Sequence, residues 1–128
     1  GELVFINAGH ESILTFDKDK NYEYIKSDMP PIGIVKYFTE SMVKSNTINL
    51  KDKTFVVYTD GVTEGYLKNG EELGAEGVQN IINSIENINP KNIVLGIEKE
   101  LNWGAEKLRD DITCMAINIE NTELIKKK

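Results

Sequence analysis

In the first half of the chain, apolar residues come in short β-prone runs separated by polar turns. Residues 3–7 and 12–16 flank Ala8, Gly9, His10 and Glu11, which predicts a β-hairpin. "DKDKN" (17–21) predicts a polar turn, and "YEYIK" (22–26) alternates like a strand with one wet face. "SDMPPIGI" (27–34) predicts a loop, because Pro30 and Pro31 forbid a central strand. A further strand is expected within 38–50, with 51–53 turning into "FVVYTDGVTEG" (55–65). These short connections predict a mostly antiparallel meander of about five strands.

The period then changes. Residues 70–74 look like a loop. After them Val78, Ile81, Ile82 and Ile85 follow the i, i+3, i+4, i+7 spacing of an amphipathic helix. Asn89 and Pro90 predict a second helix start, with Asn as cap and Pro in the first helical position. Ile93, Val94, Ile97 and Leu101 form its apolar stripe, and Gly104 stands near its expected end. A last strand is expected in 111–120 and a frayed tail in 121–128. Strands first and helices later predict an α+β fold and a single domain over 1–128. The same order excludes a receiver-type domain, in which acids cap a parallel sheet alternating with helices.

Composition narrows the function. A chain of 128 residues, 40% hydrophobic and 28% charged, suits one ordinary globular core. Its net charge of −6 argues against nucleic acid as a partner, since phosphate backbones call for a basic surface. Cys114 is the only cysteine, so no intrachain disulfide can form, and its apolar strand makes it a buried small hydrophobe. No apolar run reaches the length of a membrane helix and no signal peptide is visible, which predicts a cytoplasmic or cytoplasm-facing domain. The sequence enters a strand at once in "GELVF", which suggests a domain cut from a longer protein.

Two acidic sites stand out. In "FVVYTDGVTEG" an apolar strand stops at Asp60 and Gly61; in "RDDITCMAINI" (109–119) Asp110 and Asp111 precede one. Asp60–Gly61 reads as a plain turn, and Asp110–Asp111 as a polar strand entrance. Yet adjacent acids repel and resist burial unless a positive charge offsets them. A hard divalent cation such as Mg²⁺ or Mn²⁺ would do so, and Arg109, the only arginine, is the alternative.

The segments "NAGHESIL", "PPIGI", "FVVYTDGVTEG" and "RDDITCMAI", in that order, resemble the metal-dependent serine/threonine phosphatases of the PPM superfamily. More narrowly, they resemble its bacterial sporulation stage II protein E branch. The resemblance spans most of the chain. It implies an antiparallel β-sandwich with a helix layer on each outer face, of which this chain carries one, so the fold expected is an incomplete α-β-β-α phosphatase. It implies that Asp60 and Asp110 are metal ligands in a site holding two Mn²⁺ or Mg²⁺ ions. Asp111, Gly61, Glu64 and Thr113 fall on neighbouring motif positions, with Asp111 and Glu64 supporting the ligands. Asn7, Gly9 and His10 match a polar turn in the family, and Pro31 and Gly33 a loop that shapes the backbone. A general-acid role for His10 is the less favoured reading.

The implied reaction is hydrolysis of phosphoserine or phosphothreonine by a metal-activated hydroxide. The implied substrate is a regulatory protein of the anti-anti-sigma type, in bacterial partner switching. The family's first half, with its Gly-Asp-x-x-Gly-x-Gly type motif, has no counterpart here. The chain therefore resembles the C-terminal part of a phosphatase domain and is expected to be inactive alone. The alternative is a non-catalytic phosphatase-like module that binds a partner protein. A missing layer also predicts a bare apolar face over Leu3–Ile6 and self-association through it or through an open strand edge.

Overall fold

A computed structural model describes residues 1–101 and 110–119. Its strands are β1 (Glu2–Phe5), β2 (Ile13–Asp17), β3 (Tyr22–Ile25), β4 (Asn46–Asn49), β5 (Lys53–Tyr58) and β6 (Cys114–Ile117). Its helices are α1 (Asp60–Thr63), α2 (Gly74–Ser84) and α3 (Pro90–Glu100). Every strand pairing is antiparallel. One sheet has four strands in the order β3-β2-β5-β6, and a smaller one pairs β1 with β4.

The four-stranded sheet is covered on both faces, which explains why residues 13 to 16 of β2 are all buried. Leu14, Phe16, Val56 and Tyr58 point to one face. There they pack on Val78, Ile81 and Ile82 of α2, Ile93 and Ile97 of α3, and Leu101. Ile13 and Phe55 point the other way, with Leu50, and meet Leu3, Phe5 and Ile48 of the small sheet. Phe5 and Phe55 contact edge to face across that seam, with centroids 5.1 Å apart. The result is three layers, helices on a large sheet on a small sheet. The outer face of the small sheet leaves Val4 57% and Ile6 52% exposed.

The helix starts act as expected, but α3 ends at Glu100: Leu101, expected on its stripe, is extended and bridges Leu67. Asn89 caps α3, its side-chain oxygen accepting the Asn92 amide at 2.9 Å, and Pro90 opens the helix. Ile85 and Val94, at the rims of their stripes, are only half-buried. Gly104, Arg109 and the tail at 121–128 lie outside the described residues.

The hairpin expected from 3–7 and 12–16 does not form. β1 pairs with β4, matching Leu3 to Ile48, whereas β2 pairs with β3 and β5. The reason lies in the connection. Asn7, 2% exposed, donates its amide to the Glu11 carbonyl at 3.1 Å and accepts the His10 backbone N–H at 2.9 Å. That polar corner carries the chain from one sheet to the other instead of folding it back. The meander is thus divided between two sheets. Of the strand expected in 38–50, only Asn46–Asn49 forms, preceded by a 3₁₀ turn at Glu40–Met42.

Candidate functional site

The antiparallel register gathers several segments at one end of the sandwich. Leu14 faces Val56 and Ile13 faces Ile25, so the start of β2, the end of β3 and the end of β5 lie together. Tyr58 faces Cys114, which brings residues 110–113 to the same end. Asp60, Asp110 and Asp111 all stand there, exposed to solvent.

Asp60 is held by a helical turn. The Val62 N–H bonds the Thr59 carbonyl at 2.9 Å, and the Glu64 N–H bonds the Asp60 carbonyl at 2.7 Å. Thr63 Oγ1 also donates to the Asp60 carbonyl, at 3.1 Å. Val62, fully buried in the helix-side core, pins this turn to the sheet.

Thr59 welds the turn to the incoming strand. Its N–H donates to the Thr113 carbonyl at 3.0 Å. Its hydroxyl donates to the Asp111 carbonyl at 3.0 Å and accepts the Thr113 N–H at 3.1 Å. Gly61 completes the contact. A Cβ built there would collide with the Asp111 carbonyl oxygen and lie 3.4 Å from that of Asp110. The segments bearing Asp60 and Asp110 therefore touch through backbone. Asp110 accepts the Asp111 N–H on a carboxylate oxygen at 2.7 Å.

Burial lies just beneath the acids. It pushes the Tyr58 phenol up to about 12 and the Cys114 thiol up to about 11, so both stay protonated at neutral pH. Cys114 is half-buried in β6, in keeping with a packing role.

His10 is exposed, with ring Nδ1 3.3 Å from the Glu11 carbonyl. Its neighbours serve a junction between loops. Gly9, at φ 78°, donates its N–H to Ser27 Oγ at 2.7 Å, and a Cβ there would collide with the Pro31 ring. Ser27 Oγ also lies 2.9 Å from the Asn7 carbonyl and 2.8 Å from that of Met29. Gly33, at φ 93°, faces open space. The sequence pattern assigns no role to Ser27, and marks Thr59 only as the point where the apolar strand stops. A hydroxyl residue beside a turn is a common pattern.

Carboxylate oxygens suit a hard divalent cation. Asp60 and Asp110 have the right donor chemistry on abutting segments, but among the described residues no group of three or more His, Cys, Asp or Glu side chains comes together to hold one. The donor set fits part of a metal cage.

The family described as Stage II sporulation protein E (SpoIIE) matches residues 1–120. No curated protein sequence matches. Among solved structures, the SiaA-PP2C domain of Pseudomonas aeruginosa superimposes with a TM-score of 0.63 at 18% identity, over 93% of this chain and 46% of that one. The RsbU and RsbW domains of Rv1364c from Mycobacterium tuberculosis give 0.64 at 20% identity, over 92% of this chain and 33% of theirs. The phosphatase domain of SpoIIE from Bacillus subtilis, Mn presoaked, gives 0.58 at 20% identity, over 94% and 56%. The chain thus spans a third to somewhat over half of these structures, and the likeness is one of fold.

Proposed function

The chain belongs to the Stage II sporulation protein E (SpoIIE) family, and from that premise we propose that it forms the C-terminal portion of a metal-dependent phosphoserine/phosphothreonine phosphatase domain. Asp60 and Asp110 would hold the cation, Mn²⁺ or Mg²⁺, with further ligands supplied from outside this chain. When bound, such a cation acidifies a coordinated water and neutralises charge on phosphoryl oxygens.

The chain's own residues build and orient that site. Thr59 ties the Asp60 turn to residues 111–113 through three hydrogen bonds, and Gly61 lets the two backbones approach. Exposure of all three aspartates leaves the site open to a phosphoryl group on a protein surface. Asp111 and Thr113 act through the backbone contacts that position Asp110. Asn7, Gly9 and Pro31 position loops. His10 takes no part in proton transfer.

The observation that supports this reading is the contact of Gly61 with the Asp110–Asp111 backbone, which sets side by side two acid-bearing segments whose Asp60 and Asp110 are 50 residues apart in sequence. RsbU and RsbW domains stand together in one of the similar structures, and SiaA-PP2C is another. That company favours a phosphorylated regulatory protein of the anti-anti-sigma type as substrate, in a cytoplasmic partner-switching circuit. No helix among the described residues is long and apolar enough to cross a membrane.

The test uses the protein as encoded. With Mn²⁺ or Mg²⁺ it should release phosphate from a phosphorylated anti-anti-sigma protein, and Asp60→Asn should remove most of that activity. Chelator-insensitive turnover by Asp60→Asn would sink the mechanism.

A further inference from the structure

Between Met29 and Lys44 the chain leaves the sandwich and returns. The excursion is clamped at its neck. Met29 is buried and forms a bridge with Ala8, and its sulfur accepts the Lys44 N–H at 3.2 Å. Pro31 packs under Gly9, and the Ile34 N–H closes a turn on the Pro31 carbonyl at 3.2 Å.

Beyond the neck, large apolar side chains face water. Ile32 is 81% exposed, Ile34 73% and Tyr37 77%, with Phe38 and Val43 near 42% and 41%. Five large apolar residues exposed within twelve positions of one loop are the kind of surface that marks an interaction site.

Its position gives the patch a partner. The neck sits on Ala8 and Ser27, which follow β1 and β3 at the end of the sandwich where the acids stand. The charges differ. The segments there carry Glu11, Asp28, Asp60, Glu64, Asp110 and Asp111 against Lys26, in a chain of net charge −6. The excursion carries Lys36 and Lys44 against Glu40 alone. Lys36 Nζ lies 5.6 Å from the Tyr37 ring centre, so an aromatic anchor and a cation are presented side by side. A protein surface bearing a phosphate is negative, and this loop, with Lys26 near its foot, offers it positive charge beside the acids.

We propose that the loop at 32–43 is a docking arm for the folded phosphoprotein whose phosphorylated residue enters the Asp60–Asp110 site, with Ile34 and Tyr37 as anchors and Lys36 meeting its negative surface. The proposal rests on the phosphatase reading and adds that substrate recognition lies outside the metal cage.

Two substrates separate the cases: a phosphorylated anti-anti-sigma protein, and p-nitrophenyl phosphate, which is too small to reach the arm. In the protein as encoded, with Mn²⁺, Tyr37→Ser and Ile34→Ser should each lower kcat/KM on the phosphoprotein about tenfold or more, as expected for anchors. Turnover of p-nitrophenyl phosphate should not change. Both positions are exposed, so the variants should melt with the parent. Unchanged activity on the phosphoprotein overturns the docking arm, as does an equal loss on both substrates. Tyr37→Cys should react rapidly with a maleimide; protection would show the arm covered by the rest of the chain or by a second copy, and would also overturn it. A wild-type protein inactive on both substrates refutes the phosphatase reading itself, and the arm with it. Activity on p-nitrophenyl phosphate alone leaves the hydrolase intact and refutes this partner.

Discussion

Replacing Gly61 by alanine adds one methyl group at the contact between the two acid-bearing segments. That methyl would overlap the Asp111 carbonyl oxygen and lie 3.1 Å from its carbon. Both are backbone atoms, so no side-chain rotation relieves the clash. Overpacking of this kind costs about 1–3 kcal/mol. The strand can instead retreat, weakening the three hydrogen bonds of Thr59, each worth about 1 kcal/mol net. Against this stands the gain of alanine over glycine in a helix, at most about 1 kcal/mol and less in a single turn. The balance is a loss of about 2 kcal/mol, which for a domain of this size lowers Tm by roughly 6–10 °C. Thermal unfolding followed by circular dichroism measures it. In the protein as encoded, the displaced segments should also raise the Mn²⁺ concentration needed for half-maximal activity. A Gly61→Ala protein that melts at or above the parent would refute the apposition, and with it the structural basis of the proposed metal site.

Further outcomes follow from the same structure. Asn89→Ala removes the α3 cap and should cost about 1 kcal/mol by urea denaturation, whereas Asn89→Asp should retain most of it. Ile82→Ala empties a fully buried position between α2 and the sheet and should cost about 2–5 kcal/mol, enough to populate the unfolded state under mild denaturant. The Cys114 thiol is raised from 9.0 to about 11 by burial, so its share of stability is complete below pH 9 and lost as pH climbs toward 11. Cys114→Ala should flatten the alkaline fall in Tm across that window, and an unaltered fall would exclude the thiol as its source. Val4 and Ile6 leave an apolar face on the small sheet, so this chain should self-associate at micromolar concentration in sedimentation, and Val4→Glu should disperse it. A parent that sediments as a clean monomer would count against that face as an interface.

Local rules sufficed where one element satisfies its own needs. The α3 start was legible because Asn89 and Pro90 solve the helix-end problem within four residues. The stripes of Val78, Ile81 and Ile82 and of Ile93 and Ile97 were legible because helical period and burial coincide. The order of strands before helices gave the α+β class, and the four motif segments led to the family that matches residues 1–120. Asp60 and Asp110 could be singled out as candidates because acids beside apolar strands demand a reason.

Strand pairing lay beyond those rules. Residues 3–7 and 12–16 have the β-prone pattern of a hairpin, yet the first run pairs with β4, more than 40 residues further on, and the second pairs with β3 across the turn at 17–21 and with β5. Period-2 alternation says which residues share a face and nothing about which strand lies alongside, since any antiparallel neighbour satisfies the same hydrogen bonds. The buried Asn7 corner made that choice. The contact of Gly61 with the Asp110–Asp111 backbone is likewise a product of two sheet registers and the Thr59 bonds, and no single stretch of sequence contains it. Sequence determined the elements and named the acids; only the tertiary structure brought them to one end of the sandwich, because that proximity depends on long-range packing.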